Sequence, residues 1–556
     1  LRPPHRAETA STNNPENGKD LPVTTASKTS SALPSRRQLL TMIGLSAGSA
    51  TSLSAMAALG VTDASTYAGP VQLSGAPKGA SVLILGAGVA GLVAALELRA
   101  AGYQVQVLEY NNRPGGRNWT LRGGDRYTEL GGAVQHCEFD KDLYINPGPW
   151  RIPSVHAGLI DYCKRLDVAL EPFMQVNYNA YIHNTKAYGG KPQRFRHVQA
   201  DYFGNVAELL GKVTAQGKLD EALTQDDMEL LTQSLRSWGA LDASMKYGSS
   251  VATSERRGYE KRPGGGLSAA PVLSKPGDFK ELLNSRLWAS LATGQTLSHH
   301  TNIFQPVGGM DSISKAFGRE LGSLIRYNAK VTAIKQDASK VTVTYEDSTK
   351  PGTPQQASAD WCVNTIPLSI LSQIEMNVGQ PMKDAINAVP YSASSKVGLQ
   401  FKRRFWEEDE QIYGGITYTD LPISQISYPS SKYFSKGKGV LLGAYTFGKT
   451  PFLDAAMAPA DRVKKALADG AKIHPQYLKE FDNGIAVSWH RVPWTLGCSG
   501  AWTPEARAQH YNKLCAIDGR IVLAGEHASF IPAWQEGAVL SSLDAITRLH
   551  ERATAA

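Results

Sequence analysis

Between Gly79 and Leu96 the chain runs for eighteen positions without a charged side chain (GASVLILGAGVAGLVAAL). A membrane helix needs a run of about this length, but the internal order points elsewhere. Val82 to Leu85 is a short β-branched and leucine run, the pattern of a parallel strand buried on both faces. Gly86, Gly88 and Gly91 follow in the spacing GxGxxG, ahead of an Ala/Leu-rich helix that stops at Gly102. Gln104 to Leu108 supplies a second strand, with Glu109 at its end. Further strand-like runs occupy Lys330 to Ile334, Val341 to Tyr345, Trp361 to Thr365 and Arg520 to Ala524. Helical patterns occupy Asp226 to Trp238 and Phe279 to Ala292, and Trp534 to Ala538 opens a C-terminal helix.

The glycine spacing has a physical meaning in that context. It lets the backbone and the positive helix end approach a pyrophosphate, while Glu109 can accept hydrogen bonds from ribose hydroxyls. Strand, glycines, helix, strand and acid in register predict a bound dinucleotide in a mixed α/β, Rossmann-like unit. An acid instead of arginine at position 109 favours FAD or NAD over NADP.

Composition narrows the class. With 556 residues, 42% hydrophobic and 19% charged, the chain has enough apolar surface to offset the entropy of ordering, which excludes a disordered or collagen-like protein. The net charge of +8 comes without a run of basic residues or a zinc-finger pattern, so no nucleic-acid partner is expected. The cysteines Cys137, Cys163, Cys362, Cys498 and Cys515 lack CxxC spacing, and the histidines, the His299-His300 pair included, show no HxH or HExxH spacing. Neither a disulfide scaffold nor a metal site is expected.

The N-terminal part is different again. Residues 1–34 read as a disordered leader rich in Ser, Thr, Asn and Pro. Residues 35–77 hold Arg36-Arg37 and a mildly apolar Gly/Ala/Ser stretch that resembles a twin-arginine export signal and linker, too polar for stable membrane insertion. The expectation is an exported protein, periplasmic or secreted.

Further motifs carry a resemblance. Arg113-Pro114-Gly115-Gly116-Arg117 follows the ribose acid, and Glu129-Leu130-Gly131-Gly132 comes soon after. Near the other end stand Gly525-Glu526-His527 and Trp534-Gln535-Glu536-Gly537-Ala538. Together these resemble the flavin-dependent amine oxidase superfamily. The resemblance implies FAD as cofactor, with Gly86, Gly88, Gly91, Glu109, Gly116, Arg117, Gly132, Val331, Glu526, Gly537 and Ala538 around it. It also implies Trp534 at the substrate face of the flavin. Pro306 to Asp311 matches another element of the family.

Within the superfamily, Gly148-Pro149-Trp150-Arg151-Ile152-Pro153 resembles an element of L-amino-acid oxidases whose arginine pairs with the substrate carboxylate. A guanidinium suits that task because its planar fork makes two parallel charge-assisted bonds. The resemblance further implies catalytic roles for Lys396, near the flavin, and Trp534. Tyr445 is expected to aid Arg151, with Tyr428 as a competitor, while Trp238 and Asp242 are candidates for contacting the substrate side chain. The expected architecture has three parts: FAD-binding (78–140, 302–390, 501–556), substrate-binding (141–199, 391–500) and helical (200–301). The activity implied is oxidation of an L-amino acid by molecular oxygen to a 2-oxo acid, ammonia and hydrogen peroxide. An amino-acid 2-monooxygenase, an amine or polyamine oxidase, and a non-catalytic flavin-fold binding protein stay open, as does oligomeric state, a homodimer included.

Overall fold

The structure is a computed structural model that describes residues 65–73, 75–216, 223–267, 269–300 and 302–555. The leader and the Arg36-Arg37 pair lie outside the described residues.

The uncharged run splits into strand β1 (Ser81–Leu85) and helix α1 (Val89–Ala100), followed by β2 (Gln104–Leu108). Helix α2 (Asp311–Leu321), β3 (Ile325–Arg326), β4 (Trp361–Asn364), β5 (Ile521–Leu523) and helix α3 (Gln535–Thr554) come from distant parts of the chain. The five strands form one parallel sheet in the order β3-β2-β1-β4-β5. Alternate residues of β1 enter different cores: Val82 and Ile84 pack with α1, α2 and α3, while Leu83 and Leu85 face the opposite core. Burial on both faces is why the strand reads as a continuous apolar run. Among the described residues no helix is long and apolar enough to cross a membrane.

The opposite core is covered by a four-stranded sheet built on Ala329–Gln336 and Val341–Asp347. A second large sheet has seven strands, with Ser394–Phe401 buried along its whole length between Gly439–Phe447 and Phe481–Ser488. Ile303–Pro306 pairs with Ile152–Pro153 and Leu170–Pro172 in a small sheet.

Three helices follow one another at Phe195–Ala215, Gln225–Gly239 and Val251–Arg257. The second begins at a reciprocal capping box between Thr224 and Asp227. The helix expected over Phe279 to Ala292 breaks after Ser285, and Leu287–Gly294 continues as 3-10 turns. The cause is local: the Ser285 hydroxyl donates to Leu282 O at 2.6 Å and accepts from Leu287 N at 3.1 Å, while Arg286 turns left-handed at φ +56°.

One buried ion pair clamps the nucleotide side to the seven-stranded sheet. Arg462, on helix Pro459–Gly470, donates to both Glu129 oxygens at 2.5 and 2.8 Å, and both side chains are only 2% exposed. Gln135 extends the clamp by exchanging hydrogen bonds with the backbone of Ala486. Glu129 thus acts in packing, and Gly132 beside it lies in an exposed turn. Removing one member of a buried pair leaves the other charge uncompensated. Arg462→Ala is expected to cost about 3–5 kcal/mol, seen as an earlier denaturant midpoint. Lys335→Ala, which breaks the exposed pair with Glu375, should cost at most about 1 kcal/mol. Equal midpoints for the two variants would contradict the clamp.

Candidate active site

A cavity of about 440 Å³ runs from the glycine loop after β1 to the inner strands of the seven-stranded sheet. Gly88 caps α1 and has no side chain to fill the space at the helix N-terminus, so the first N–H groups face the cavity end. The loop is tight. Gly86 adopts φ +100°, and a Cβ on Gly91 would lie 1.9 Å from Gly86 O. Gly115 N donates to Ala87 O at 2.7 Å, which brings the Arg113–Arg117 segment alongside, with Gly116 against Gly88.

Arg117 crosses from this segment to the far end of the chain. It donates to Glu526 at 2.7 Å and to Cys498 O at 2.7 Å. Burial alone would raise the Glu526 carboxyl, but the charge of Arg117 leads a set of partners that hold it below the usual carboxylate value. At the start of α3, Trp534, Gln535 and Ala538 line the cavity. Asn118 donates to Gln535 and accepts from Ser314, so an amide chain joins the two ends a second time. Gly537 packs so closely that a Cβ would meet Ile531 O at 2.2 Å.

Glu109 and Val331 lie farther along. The Glu109 carboxylate accepts from Ala87 N at 2.6 Å and Asn111 N at 2.8 Å. Its carbonyl accepts from Ala329 N, where the strand carrying Val331 begins. Val331 itself is buried in the core beneath.

The other end of the cavity is built around Arg151, 8% exposed. Its Nη1 donates to Gln175 Oε1 at 2.8 Å and its Nη2 lies 2.9 Å from His299 Nε2. The guanidinium lies 5.1 Å from the Trp150 ring and 5.7 Å from the Trp534 ring. Tyr445 shares the cavity wall and meets Trp150 edge-on at 5.3 Å. Its competitor Tyr428 is excluded from the wall: its hydroxyl is bound to Thr417 and His474 inside the core on the other face of the sheet.

Lys396 is not on the cavity surface. Its side chain, 1% exposed, passes behind the wall, and Nζ donates to Asn146 O at 3.1 Å and Gly148 O at 2.5 Å between the rings of Trp150 and Tyr445. Burial pushes this ammonium well below the ordinary lysine value; Cys498 opposes that and the positive Arg151 adds to it. Trp238 is also elsewhere: it is 42% exposed and stacks on Phe203 on the helical surface. Asp242 closes an exposed turn by accepting from Ser244 and Lys246. Neither side chain lines the cavity. Trp238 lies in the last turn of the helix Gln225–Gly239 and Asp242 in the turn that follows it, away from the cavity wall. Gln175, His299 and Tyr418, which do line it, carry no motif of their own.

A parallel sheet with a glycine-capped helix, opening onto a cavity that ends in a buried arginine, defines a dinucleotide-dependent oxidoreductase for small molecules. The chain belongs to the flavin containing amine oxidoreductase family, whose match spans residues 89–549. It is 30% identical over 477 residues to an L-amino-acid oxidase of Siganus canaliculatus, covering 85% of each chain. An L-amino acid oxidase of Bothrops pictus is 30% identical over 483 residues, covering 84% of this chain and 89% of its own. The fold is shared with putrescine oxidase bound to putrescine (TM-score 0.55, 18% identity, 86% and 99% covered). It is likewise shared with cyclohexylamine oxidase from Brevibacterium oxydans IH-35A (TM-score 0.56, 18% identity, 85% and 99% covered).

The cofactor is FAD, and the residues present fit it: a cradle that side chains would fill, a helix N-terminus for the pyrophosphate, and a long cavity reaching Trp534. Gly91→Ala is expected to open the loop at Gly86 and leave the purified protein with under about a tenth of the flavin absorbance, as loss of close backbone approach disables the pyrophosphate site. Full yellow colour in that variant would contradict the cradle.

Proposed function

We propose that the protein is an FAD-dependent L-amino-acid oxidase that converts L-amino acids to 2-oxo acids with release of ammonia and hydrogen peroxide. One observation carries the reading: a buried arginine lines the cavity, beside Gln175, His299 and the rings of Trp150 and Trp534. A guanidinium in that position suits a carboxylate, which a simple amine lacks.

Arg151 anchors the substrate carboxylate, and Trp150 and Trp534 close over the guanidinium so that the bond forms away from water. Tyr445 borders the same wall and supports the substrate beside Arg151. Held at one end, the amino acid turns its Cα–H along the cavity toward the dinucleotide end. Trp534, standing at the N-terminus of α3, limits the space through which the amine can swing. Lys396 contributes from behind by tying down the Asn146–Gly148 turn that presents Trp150 and Arg151. Bound FAD supplies acceptance of two electrons and the Cα hydrogen, and their passage to oxygen. The product is an imino acid, which water converts to the 2-oxo acid and ammonia.

Residues Gly86, Gly88, Gly91, Gly116 and Arg117 serve the pyrophosphate side of FAD in this reading, with Glu109 and Val331 toward the adenosine and Glu526, Gly537 and Ala538 toward the flavin.

A peroxide assay on L- and D-amino acids and the matching decarboxylated amines tests the proposal. Wild type should oxidise L-amino acids with stoichiometric peroxide and ammonia. Arg151→Ala should lower kcat/KM for amino acids about a hundred-fold or more, the range for losing a charge-assisted pair, and leave the amines little changed. Carbon dioxide and an amide as products would point to a monooxygenase, and equal turnover of amines by wild type would overturn the carboxylate role.

A further inference from the structure

We propose that His299 is a positioning residue that sets the plane of the Arg151 guanidinium by acting as a neutral hydrogen-bond acceptor. The inference rests on the carboxylate reading of Arg151 and goes beyond it. Every nitrogen of a guanidinium donates and none accepts. Because Arg151 Nη2 lies 2.9 Å from His299 Nε2, Nε2 must be the acceptor and the ring proton must sit on Nδ1. Thr296 Oγ1 stands 2.9 Å from Nδ1, where it receives that proton's hydrogen bond. The tautomer follows from the partners on both sides.

A protonated ring would turn an N–H toward an N–H and place a second positive charge beside Arg151. Burial first, then the charges of Arg151 and His156, lower the pKa of His299 to about 2. The direction of that shift agrees with the acceptor role that the bond to Arg151 assigns to Nε2. Its Nε2 lone pair is engaged by Arg151, so His299 is not placed to take a proton from substrate.

Gln175 completes the arrangement on the other Nη. Its Oε1 accepts from Arg151 and its Nε2 donates to Tyr418 at 3.2 Å. Two neutral acceptors on the two Nη atoms restrain the twist and tilt of the fork. A guanidinium carries five N–H donors, and these two bonds use two of them. His299 comes from Leu297–His300, so the helical region contributes to carboxylate recognition through this side chain. Its ring also lies 6.2 Å from Trp534, which ties the anchor to the aromatic wall.

The test uses the flavin-loaded full chain carrying His299→Leu, His299→Gln or Thr296→Val. KM and kcat are measured for the preferred L-amino acid and its decarboxylated amine, and the Kd of benzoate, a non-oxidisable carboxylate, is read from the flavin absorbance. His299→Leu should raise the amino-acid KM and the benzoate Kd about ten-fold or more, with kcat within about three-fold and the amine unaffected. His299→Gln, whose Oε1 reaches toward the place of Nε2, should recover most of the loss. If His299→Leu fails to fold, Thr296→Val decides: it should raise the benzoate Kd about two- to three-fold, in line with losing one neutral hydrogen bond, and no change would overturn the proposal. A fall in kcat with KM unchanged would make His299 a proton carrier, and equal loss in Leu and Gln variants for amine and amino acid alike would make it packing. If Arg151→Ala leaves benzoate binding intact, the carboxylate reading itself fails. If Arg151→Ala weakens benzoate and His299→Leu does not, only the positioning role fails.

Discussion

The ion pair between Arg117 and Glu526 is the constraint on which the site depends. It joins residues 409 apart in sequence, and it is the charged one of the two links between the loop beside α1 and the start of α3, the other being the Asn118–Gln535 amide bond. Two charges taken from water gain little by attraction alone; extra hydrogen bonds offset the cost of desolvation. Here Arg117 also binds Cys498 O, while Glu526 also accepts from Gly500 N at 3.1 Å and Ala533 N at 3.0 Å. The last bond holds Ala533 at φ +66°, a left-handed conformation costly for alanine. Trp534 is the next residue. The pair that closes the chain on itself therefore also aims the aromatic that faces Arg151.

The nucleotide side of this arrangement was legible from the residue pattern because it is made of short-range rules. A strand, a glycine turn and a helix need only neighbours in sequence, and β1, α1 and β2 fall where the run from Gly79 to Leu108 predicts them. The substrate side is assembled by long-range contact. Arg151 could be singled out only through the resemblance of Gly148 to Pro153 to an element of L-amino-acid oxidases, and Gln175 and His299 reach it only once Leu170–Pro172 and Leu297–His300 have packed. A lone glutamine or a histidine pair has no spacing that announces such a contact. Trp238 shows the reverse case: an aromatic at helical spacing, equally suited to a pocket or a surface, ends stacked on Phe203 in the helical region. Lys396 shows a third, in which the strand is readable but the direction of one buried side chain depends on the Asn146–Gly148 turn packed across it.

Burial removes competing charge from around Arg151. Burial lowers the pKa of His299 and that of Lys396, which is flanked by the rings of Trp150 and Tyr445, so both are shifted in the direction of the neutral form. Farther along, the charge of Arg117 is matched by Glu526. The region near Arg151 thus keeps a positive field whose strongest source is the guanidinium, in surroundings that screen it poorly. Such a field attracts the carboxylate end of an amino acid and repels a cationic group.

That asymmetry bears on the substrate amine. In water an α-ammonium is supported by the carboxylate beside it. If, as proposed, Arg151 neutralises that carboxylate, the support is gone, and the largely apolar cavity wall favours the uncharged amine. The uncharged amine has the lone pair needed to stabilise loss of the Cα hydrogen with its electron pair, whereas the ammonium does not. On the amino-acid reading proposed above, the guanidinium that would recognise the acid would therefore also prepare the amine. This works only if the bases around it stay neutral, because a protonated His299 would compete for the carboxylate and turn the fork. Burial of His299 and Lys396 is on this reading a requirement of the chemistry at Arg151 as well as of packing.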